Sequence, residues 1–310
     1  MTLGLLVEEA GLFSTVQDLG RQGFQSLGVP PSGALDPVAL RLANLVVGNP
    51  PGCAGLEMCR LGATLRVTVP SLRVALAGAP PTGDLPVLRS LTLREGEVLR
   101  IGRVAGGAAY LAVEGGFDLK PVLGSLSTYA RALIGGFEGR RLEPGDVLPL
   151  LRHTASSRRE RALPHPLPAE RDRPLRVVLG PQADHFTEEA FDALLGEGFT
   201  VTAEADRIGL RLSGPRLAHA GPPEIASDGN ATGAVQVPGS GQPIVLLPDR
   251  HTVGGYPKIA TVITADLARL GQSLPGTVLR FEAVAPEQAR IALRRQEAEI
   301  AALAARLHET

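Results

Sequence analysis

Side chains able to bind and polarise a small substrate are concentrated in the last third of the sequence. Residues 233–267 combine glutamines, an Asp-Arg-His triplet, a Gly-Gly-Tyr turn and a lysine with stretches typical of β-strands. Together with residues 204–212 and 224–233, they offer donors and acceptors suited to a small polar, anionic substrate. The set comprises Asp206, Arg207, Asp228, Gln236, Gln242, Asp249, Arg250, His251, Gly254, Gly255, Tyr256 and Lys258.

Lys258 is distinctive because lysine is rare in this chain. Only two of the 31 Lys and Arg residues are lysines, Lys120 and Lys258. A compact ammonium with a tunable pKa is useful in catalysis, and the alternative is a solvated lysine at a strand end. We expect Lys258 to meet a substrate carboxylate or a developing oxyanion, with Asp249 and Arg250 shaping the catalytic cleft.

The neutral amides of the same region have a different expected role. Gln236 and Gln242 can orient a substrate by uncharged hydrogen bonds. Asp228 and the Gly254, Gly255 and Tyr256 turn are predicted to contribute to substrate binding.

A second polar group lies near the N-terminus, between Gly11 and Asp36. Its glycines allow the backbone to approach a ligand closely. The alternative is an ordinary glycine-rich loop in which Asp18 and Arg21 pair on the surface. The polar members are Gln17, Asp18, Arg21, Gln22, Gln25 and Ser32, of which Gln17, Asp18, Arg21 and Ser32 are predicted to bind substrate.

Composition restricts the class of protein. The 310 residues are 44% hydrophobic, with 37 glycines and 26 prolines, which favours two turn-rich β domains. The net charge of −1 argues against a nucleic-acid partner. No apolar run reaches about 18 residues, so we expect a cytoplasmic protein that does not enter a membrane. Cys53 and Cys59 have no zinc-type spacing and are expected to be buried thiols.

Short β-type runs ended by Gly or Pro predict a mainly β fold with a few helices (α+β). We expect a β-rich domain over residues 1–151, a linker over 152–174 and a second β-rich domain over 175–285. One helix should begin after the N-cap Asp36, with Pro37 at its first position and Gly48 at its end. A second should cover part of residues 187–198, and an amphipathic helix should occupy residues 286–310.

Common catalytic motifs are missing from the sequence. It contains no P-loop, no dinucleotide-binding fingerprint after a strand, no Gly-x-Ser-x-Gly and no His-Glu-x-x-His. It also lacks the Ala-Met-Lys-Met stretch to which biotin is attached.

Several long segments nevertheless resemble one family in order and in detail. They are TVQDLGRQGFQSLGVPPSGALDPVALRLANLVVGNP, YLAVEGGFD, LGSLSTYARALIGGFEGRRLEPGD, DRIGLRL and GAVQVPGSGQPIVLLPDRHTVGGYPKIATVITADLARLGQSLPG. The chain resembles the KipA-like, or allophanate hydrolase subunit 2, family of biotin-dependent carboxyltransferase-like proteins. The best-defined role in that family is the C subunit of bacterial ATP-dependent 5-oxoprolinase.

The resemblance implies a cyclophilin-like β-barrel in the second domain and action within an assembly. It implies a LamB/YcsF-like A subunit, a KipI-like B subunit and ATP with Mg used by the assembly, with no biotin attached to this chain. The implied reaction is hydrolysis of pyroglutamate to glutamate. Two alternatives stay open: the carboxyltransferase subunit of a biotin-dependent urea or amide carboxylase, and a non-catalytic regulator that binds a KipI-like partner.

The chain departs from the family pattern at a few positions. Leu126 replaces an arginine, Ile208 and Leu210 replace Met and Tyr, and His251 replaces a glutamine. These changes bear on the shared substrate more than on the shared fold.

Overall fold

Short strands dominate the chain, as its brief apolar runs between glycines and prolines predict. The computed structural model describes residues 3–83, 85–164 and 173–310. The strands are β1 (Gly4–Glu9), β2 (Phe13–Gln17), β3 (Gly55–Leu61), β4 (Thr64–Val67), β5 (Ser71–Gly78), β6 (Ser90–Arg94), β7 (Val98–Arg100), β8 (Arg103–Val113), β9 (Val147–Pro149), β10 (Arg161–Ala162), β11 (Leu175–Leu179), β12 (Phe199–Val201), β13 (Gly209–Ser213), β14 (Asp228–Gly229), β15 (Ala234–Gln236), β16 (Ile244–Leu246), β17 (Val253–Gly254), β18 (Lys258–Val262), β19 (Val278–Leu279), β20 (Phe281–Ala283) and β21 (His308–Glu309). The helices are α1 (Pro37–Val47), α2 (Glu188–Gly196), α3 (Leu267–Gly271) and α4 (Pro286–Ala305). The predicted mainly β, α+β class is confirmed.

The chain divides into two units. Unit 1 comprises Met1–Gln22, Ser32–Pro168 and Glu299–Thr310, and unit 2 comprises Gly23–Pro31 and Ala169–Ala298. The short segment Gly23–Pro31 therefore belongs to unit 2, although the residues on both sides of it belong to unit 1. The boundaries of the predicted linker stay a prediction, since residues 165–172 lie outside the described ranges.

Unit 1 contains a four-stranded sheet, in the order β7-β4-β1-β9, and a five-stranded sheet, in the order β2-β3-β8-β5-β6. The side chains of β8 show what packs on each face of the five-stranded sheet, because successive side chains of a strand point to opposite faces. Its Leu111 and Val113 belong to an apolar cluster that also contains Leu5 of β1. Its Tyr110 belongs to another cluster, together with Leu40 of α1. A strand buried on both faces reads as a continuous apolar run.

Helix α1 begins and ends where local signals predict. The Asp36 side chain accepts a hydrogen bond from the Ala39 amide at 2.9 Å, and Pro37 occupies the first turn. Gly48 ends the helix in the left-handed region at φ 89°. In α2 the Thr187 hydroxyl likewise accepts from the Ala190 amide. Both helix predictions are confirmed.

Unit 2 is built on an eight-stranded sheet in the order β19-β12-β13-β16-β15-β18-β11-β20. Its two edge strands, β19 and β20, are consecutive in the chain and separated only by Arg280. The sheet therefore curls until its two edges almost meet, which gives the barrel-like form predicted for this part of the chain. Phe199 and Phe281 pack in its core with ring centroids 6.0 Å apart.

Two expectations need correction. The C-terminal helix begins at Pro286 but ends at Ala305 rather than continuing to residue 310. It stops because β21, which follows, pairs its backbone with β10. Cys53 and Cys59 form no disulfide and are only half-buried rather than buried. Cys59 lies where β3 passes from buried residues to its exposed end.

Candidate functional site

Polar side chains of unit 2 form two hydrogen-bonded groups, here called together the unit 2 polar cluster. The groups meet at Gln236 and Lys258, which are cross-strand partners on β15 and β18. The members are Gln25, Gln182, Asp228, Asn230, Thr232, Gln236, Arg250 and Lys258.

The first group is centred on Lys258. Its Nζ donates to Asp228 Oδ2 at 2.9 Å, and its side chain is only 4% exposed whereas that of Asp228 is 52% exposed. Gln182 braces the pair, since its Nε2 donates to Asp228 Oδ2 at 3.3 Å and its Oε1 accepts from the Lys258 amide at 3.2 Å. The hydrogen bond from Lys258 holds the pKa of Asp228 below its ordinary value. A solvated strand-end lysine does not fit this burial.

The second group is centred on Arg250, which is 3% exposed. Its Nε donates to the Asn230 carbonyl at 2.9 Å, its Nη1 to Thr232 Oγ1 at 2.7 Å and its Nη2 to Gln25 Oε1 at 2.9 Å. Gln25 Nε2 donates to the same Asn230 carbonyl at 2.9 Å. Burial lowers the pKa of Arg250 to about 10, so the guanidinium stays charged at neutral pH.

A chain of amides extends from Asn230 toward Lys258. Gln236 Nε2 donates to Asn230 Oδ1 at 3.1 Å, and Asn230 Nδ2 donates to the His251 carbonyl at 3.1 Å. Gly254 passes directly over these amides, because a Cβ there would lie 2.7 Å from Gln236 Nε2 and 2.8 Å from Asn230 Nδ2. Gly254 therefore leaves room for the amide chain, and its predicted role in substrate binding stays a prediction.

Other predicted residues of this region lie in separate contacts. The Asp249 carboxylate is held by Arg207, at 2.8 Å to Nε and 3.2 Å to Nη2, and both residues are buried. Gln242 makes two hydrogen bonds to the backbone of Gly214: its Oε1 accepts from the Gly214 amide at 2.9 Å, and its Nε2 donates to the Gly214 carbonyl at 3.1 Å. Asp249 therefore fixes the chain next to Arg250, and Gln242 holds a turn.

The turn before Lys258 is more open. The Gly255 carbonyl accepts from the Ile225 amide at 2.8 Å, and Tyr256 is 41% exposed. Asp206 caps the backbone amides of Ile208 and Gly209. None of these contacts joins the hydrogen bonds described for the unit 2 polar cluster.

The N-terminal polar residues form a different arrangement in unit 1, here called the unit 1 polar cluster. Its members are Gln17, Asp18, Arg21, Ser32, Ser125, Ser127 and Thr128. Asp18 accepts from Ser125 Oγ at 2.7 Å, from Ser127 Oγ at 2.6 Å and from the Leu126 amide at 2.6 Å. Leu126, where the family has an arginine, thus contributes its backbone to this cluster.

The remaining members of the unit 1 polar cluster are deeply buried. Arg21 is 1% exposed and donates to the Ser127 carbonyl. Gln17 is fully buried and donates to the Thr128 carbonyl at 3.1 Å. Ser32 is 5% exposed and has φ 54°, in the left-handed region that non-glycine residues rarely adopt. The expected alternative of a surface Asp18–Arg21 pair does not describe side chains placed in this way.

Sequence reasoning misses three members of the unit 2 polar cluster and misplaces a fourth. Residue type alone does not single out Gln182, Asn230 and Thr232, although Asn230 and Thr232 stand in the polar run that begins at Asp228. Proximity in sequence groups Gln25 with the N-terminal residues, whereas the structure places it on Arg250.

Unit 1 also carries a surface cavity of about 510 Å³ whose lining includes Arg73, Arg94, Ser156 and Arg158. Its deepest cation, Arg73, lies 3.1 Å from Glu114 and 3.3 Å from Glu160. Within the described ranges, no group of three or more His, Cys, Asp or Glu side chains could hold a metal ion. No helix in this described part of the chain is long and apolar enough to cross a membrane.

Comparisons with known proteins agree on the family. The family model "Carboxyltransferase domain, subdomain A and B" matches residues 27–283. The chain is 37% identical to the C subunit of 5-oxoprolinase from Escherichia coli, over 98% of this chain and 99% of that protein. It is 33% identical to a putative urea carboxylase of Emericella nidulans, over 89% of this chain and 24% of that protein.

Solved structures show the same relationship at the level of the fold. The Kluyveromyces lactis urea carboxylase matches with a TM-score of 0.90 at 28% identity, over 97% of this chain and 29% of that one. The match to the family model covers most of the chain, including every strand of the unit 2 sheet. The chain therefore belongs to the family of carboxyltransferase domains with subdomains A and B.

Proposed function

We propose that this chain is the C subunit of an ATP-dependent 5-oxoprolinase, which hydrolyses the lactam of 5-oxo-L-proline to give L-glutamate. The observation that carries the proposal is the end-to-end alignment with the Escherichia coli 5-oxoprolinase protein, at 98% and 99% of the two chains. The alignment with the putative urea carboxylase, by contrast, spans only 24% of that larger protein.

The unit 2 polar cluster offers groups suited to this reaction. Hydrolysis adds one water across the C–N bond of the lactam, and the carbonyl oxygen gains negative charge as the water oxygen attacks the carbon. A buried ammonium such as Lys258, held by Asp228, can stabilise that charge as long as the oxyanion comes within hydrogen-bond distance. The amide of Gln236 supplies a neutral donor on the neighbouring strand.

ATP and Mg belong to other chains in this proposal. Mg²⁺ in nucleotide sites is bound by carboxylates and phosphates. This sequence contains no P-loop to cradle the phosphates of a nucleotide. We therefore assign nucleotide binding to the partner subunits.

The proposed partners are a LamB/YcsF-like A subunit and a KipI-like B subunit. Two relatives, from Escherichia coli and Haemophilus influenzae, are themselves named as subunits of 5-oxoprolinase, which supports an assembly of several chains. Co-expression of this chain with a KipI-like protein should give co-elution in size-exclusion chromatography at micromolar concentration. Separate elution of the two proteins would contradict the pairing.

A second candidate function is favoured by a specific observation, the match to urea carboxylase at a TM-score of 0.90. In that case the chain acts in carboxyl transfer, and carboxylated biotin arrives on another chain. Both functions use a polarised amide-type carbonyl, so the geometry of Lys258 serves either one.

Reconstitution distinguishes the two functions. The LamB/YcsF-like and KipI-like partners and this chain are mixed with Mg-ATP and 5-oxo-L-proline, and glutamate is measured with each protein withheld in turn. We expect glutamate only in the complete mixture, without added biotin or bicarbonate. Full glutamate formation without this chain would refute the assignment, and a requirement for biotinylated carrier and bicarbonate would favour the carboxyltransferase.

A further inference from the structure

Buried arginines of this protein differ in what balances their charge. Arg73 in unit 1 faces two carboxylates, those of Glu114 and Glu160. Arg207 in unit 2 holds the carboxylate of Asp249. This is the usual arrangement, because a buried charge is costly unless it is paired with an opposite charge.

Arg250 departs from this arrangement. Among the described residues its guanidinium contacts three neutral oxygens, those of Asn230, Thr232 and Gln25, and no carboxylate. Hydrogen bonds orient the cation without neutralising it. At Arg250 the chain therefore holds a buried positive charge at a fixed position, and no carboxylate in the described ranges pairs with it.

The guanidinium also retains hydrogen-bonding capacity. Arginine has five N–H donors, and the three bonds of Arg250 use one each on Nε, Nη1 and Nη2. One N–H remains on each terminal nitrogen, which is the number that a carboxylate accepts from an arginine in a bidentate pair. The side chains at these two nitrogens, Thr232 and Gln25, are only half-buried, so the charged end lies just beneath the surface of unit 2.

We propose that Arg250, framed by Gln25 and Thr232, is the subsite that binds the carboxylate of a small acid substrate. The identity of the acid rests on the proposed function. In that case the bound group is the carboxylate of 5-oxo-L-proline, and the reaction leaves this carboxylate unchanged. Because Arg250 then holds the substrate carboxylate, Lys258, which is paired with Asp228, is left to act on the reacting carbonyl. The two cations divide recognition and chemistry between them.

Two variants test the subsite in opposite ways. Arg250→Met removes the charge and keeps much of the apolar stem. Gln25→Glu places a carboxylate beside the guanidinium and should occupy the subsite from within the chain. Arg211→Met is the matched control, because Arg211 lies in the same unit but its side chain is 40% exposed and pairs with Glu204.

Binding is measured by thermal shift of the full chain with 5-oxo-L-proline, its neutral amide 5-oxo-L-prolinamide, acetate and bicarbonate. We expect the acid to raise the Tm of the unsubstituted chain and of Arg211→Met, and to leave that of Arg250→Met and Gln25→Glu unchanged. The neutral amide should have little effect on any of them. A larger rise in Tm with bicarbonate than with 5-oxo-L-proline would support the subsite and assign it to carboxyl transfer.

Turnover in the assembled enzyme gives an independent measure. Arg250→Met should raise KM for 5-oxo-L-proline by about 100-fold and abolish the preference for the acid over the amide. Gln25→Glu should raise KM while its free-chain Tm stays within a few degrees, because the new ion pair with Arg250 offsets the hydrogen bond that Gln25 Nε2 no longer donates to the Asn230 carbonyl. A purely structural role of Gln25 would not produce a raised KM at an almost unchanged Tm. Retention of the acid preference in Arg250→Met would overturn the inference and leave the proposed function intact. If the acid raised the Tm only when Arg250 was present but the assembly showed no turnover, the inference would stand and the proposed function would fail.

Discussion

The two polar clusters satisfy their charges in different ways. In unit 1, the carboxylate of Asp18 receives hydrogen bonds from two serine hydroxyls and from the Leu126 and Gly20 amides. In unit 2, Arg250 is buried among neutral oxygens, and buried Lys258 contacts a carboxylate that is half exposed. The Asp18 carboxylate accepts four hydrogen bonds from its own chain, whereas the Arg250 guanidinium keeps one N–H on each terminal nitrogen that no described residue accepts.

This difference separates groups that hold the fold from groups that can act on a ligand. A fully hydrogen-bonded carboxylate fixes the segments that donate to it, here residues 18–20 and 125–127. A charge that the fold leaves unbalanced lowers stability and interacts strongly with a bound ion of opposite sign. Substitutions in the two clusters should therefore affect different measurements.

The largest effect is expected at Asp18. Asp18→Asn can keep one oxygen for the three donors that Oδ1 receives, but it places an NH2 group against the Leu126 amide that donates to Oδ2, and it removes the charge that strengthens all four hydrogen bonds. We expect a loss of about 3 kcal/mol in the free energy of unfolding, since hydrogen bonds to charged groups are worth about 1.5–3 kcal/mol each. Calorimetry should show a fall in Tm of roughly 6–12 °C.

Ser125→Ala is the graded control for Asp18→Asn, because it removes one of the two hydroxyl donors. It should cost less than half as much stability. If Asp18→Asn instead kept its Tm and lost only activity, Asp18 would belong with the ligand-binding groups and the comparison between the clusters would fail.

Lys258 should show the opposite behaviour. Lys258→Met keeps the buried stem and removes the ammonium, and Asp228 stays solvated without its partner. We expect turnover of the proposed 5-oxoprolinase assembly to fall by about 100-fold, the effect of losing one donor to a developing oxyanion. The Tm should change by no more than a few degrees. Unaltered turnover would exclude Lys258 from the chemical step.

A smaller effect is expected at Gly254. An added Cβ would push on the amides of Gln236 and Asn230, which are the movable ends of side chains, so the fold should tolerate it. Gly254→Ala should raise KM by roughly 10-fold, because it displaces the amide of Gln236, the neutral donor proposed on the strand next to Lys258. Gly229→Ala, on the paired strand β14, is the control, since a Cβ there meets nothing within 4 Å. Equal KM values in the two variants would argue against the amide chain.

The smallest expected effect is a shift in the titration of Asp228. The hydrogen bond from Lys258 lowers the pKa of Asp228, so the contribution of the pair to stability is present above the unfolded value of about 3.9. That contribution is lost as the pH falls through the lower pKa of the folded state. In Lys258→Met the pKa of Asp228 should rise, as followed by carbon-detected NMR of its carboxyl group. An unchanged pKa would show that the pair does not persist in solution.

Local signals allow part of this structure to be predicted. Helix α1 follows from Asp36, Pro37 and Gly48, which act within a few residues of one another. The pairing of Gln25 with Arg250 depends on the path of the whole chain, since 225 residues separate them. A pattern confined to a window of sequence cannot show such a contact.

The burial of side chains and their ion pairs also depend on contacts between residues far apart in sequence, which limits the prediction of the site. Residue type identifies Lys258, Arg250 and Asp249, but it does not show which charge is neutralised. The Arg207–Asp249 pair and the absence of a described carboxylate at Arg250 follow from the register of β13 and β16 and from the turn after β16. The same residue types would fit either arrangement.

The placement of Gly23–Pro31 in unit 2 has a consequence for synthesis of the protein. Gln25 leaves the ribosome 205 residues before Asn230, its partner in unit 2. At 5–20 residues per second, the segment must wait roughly 10 to 40 s before its binding surface exists. Its two glycines and two prolines are poor strand formers, so it is protected from pairing with other nascent chains during that interval. The composition of this loop thus serves the growing polypeptide as well as the finished fold.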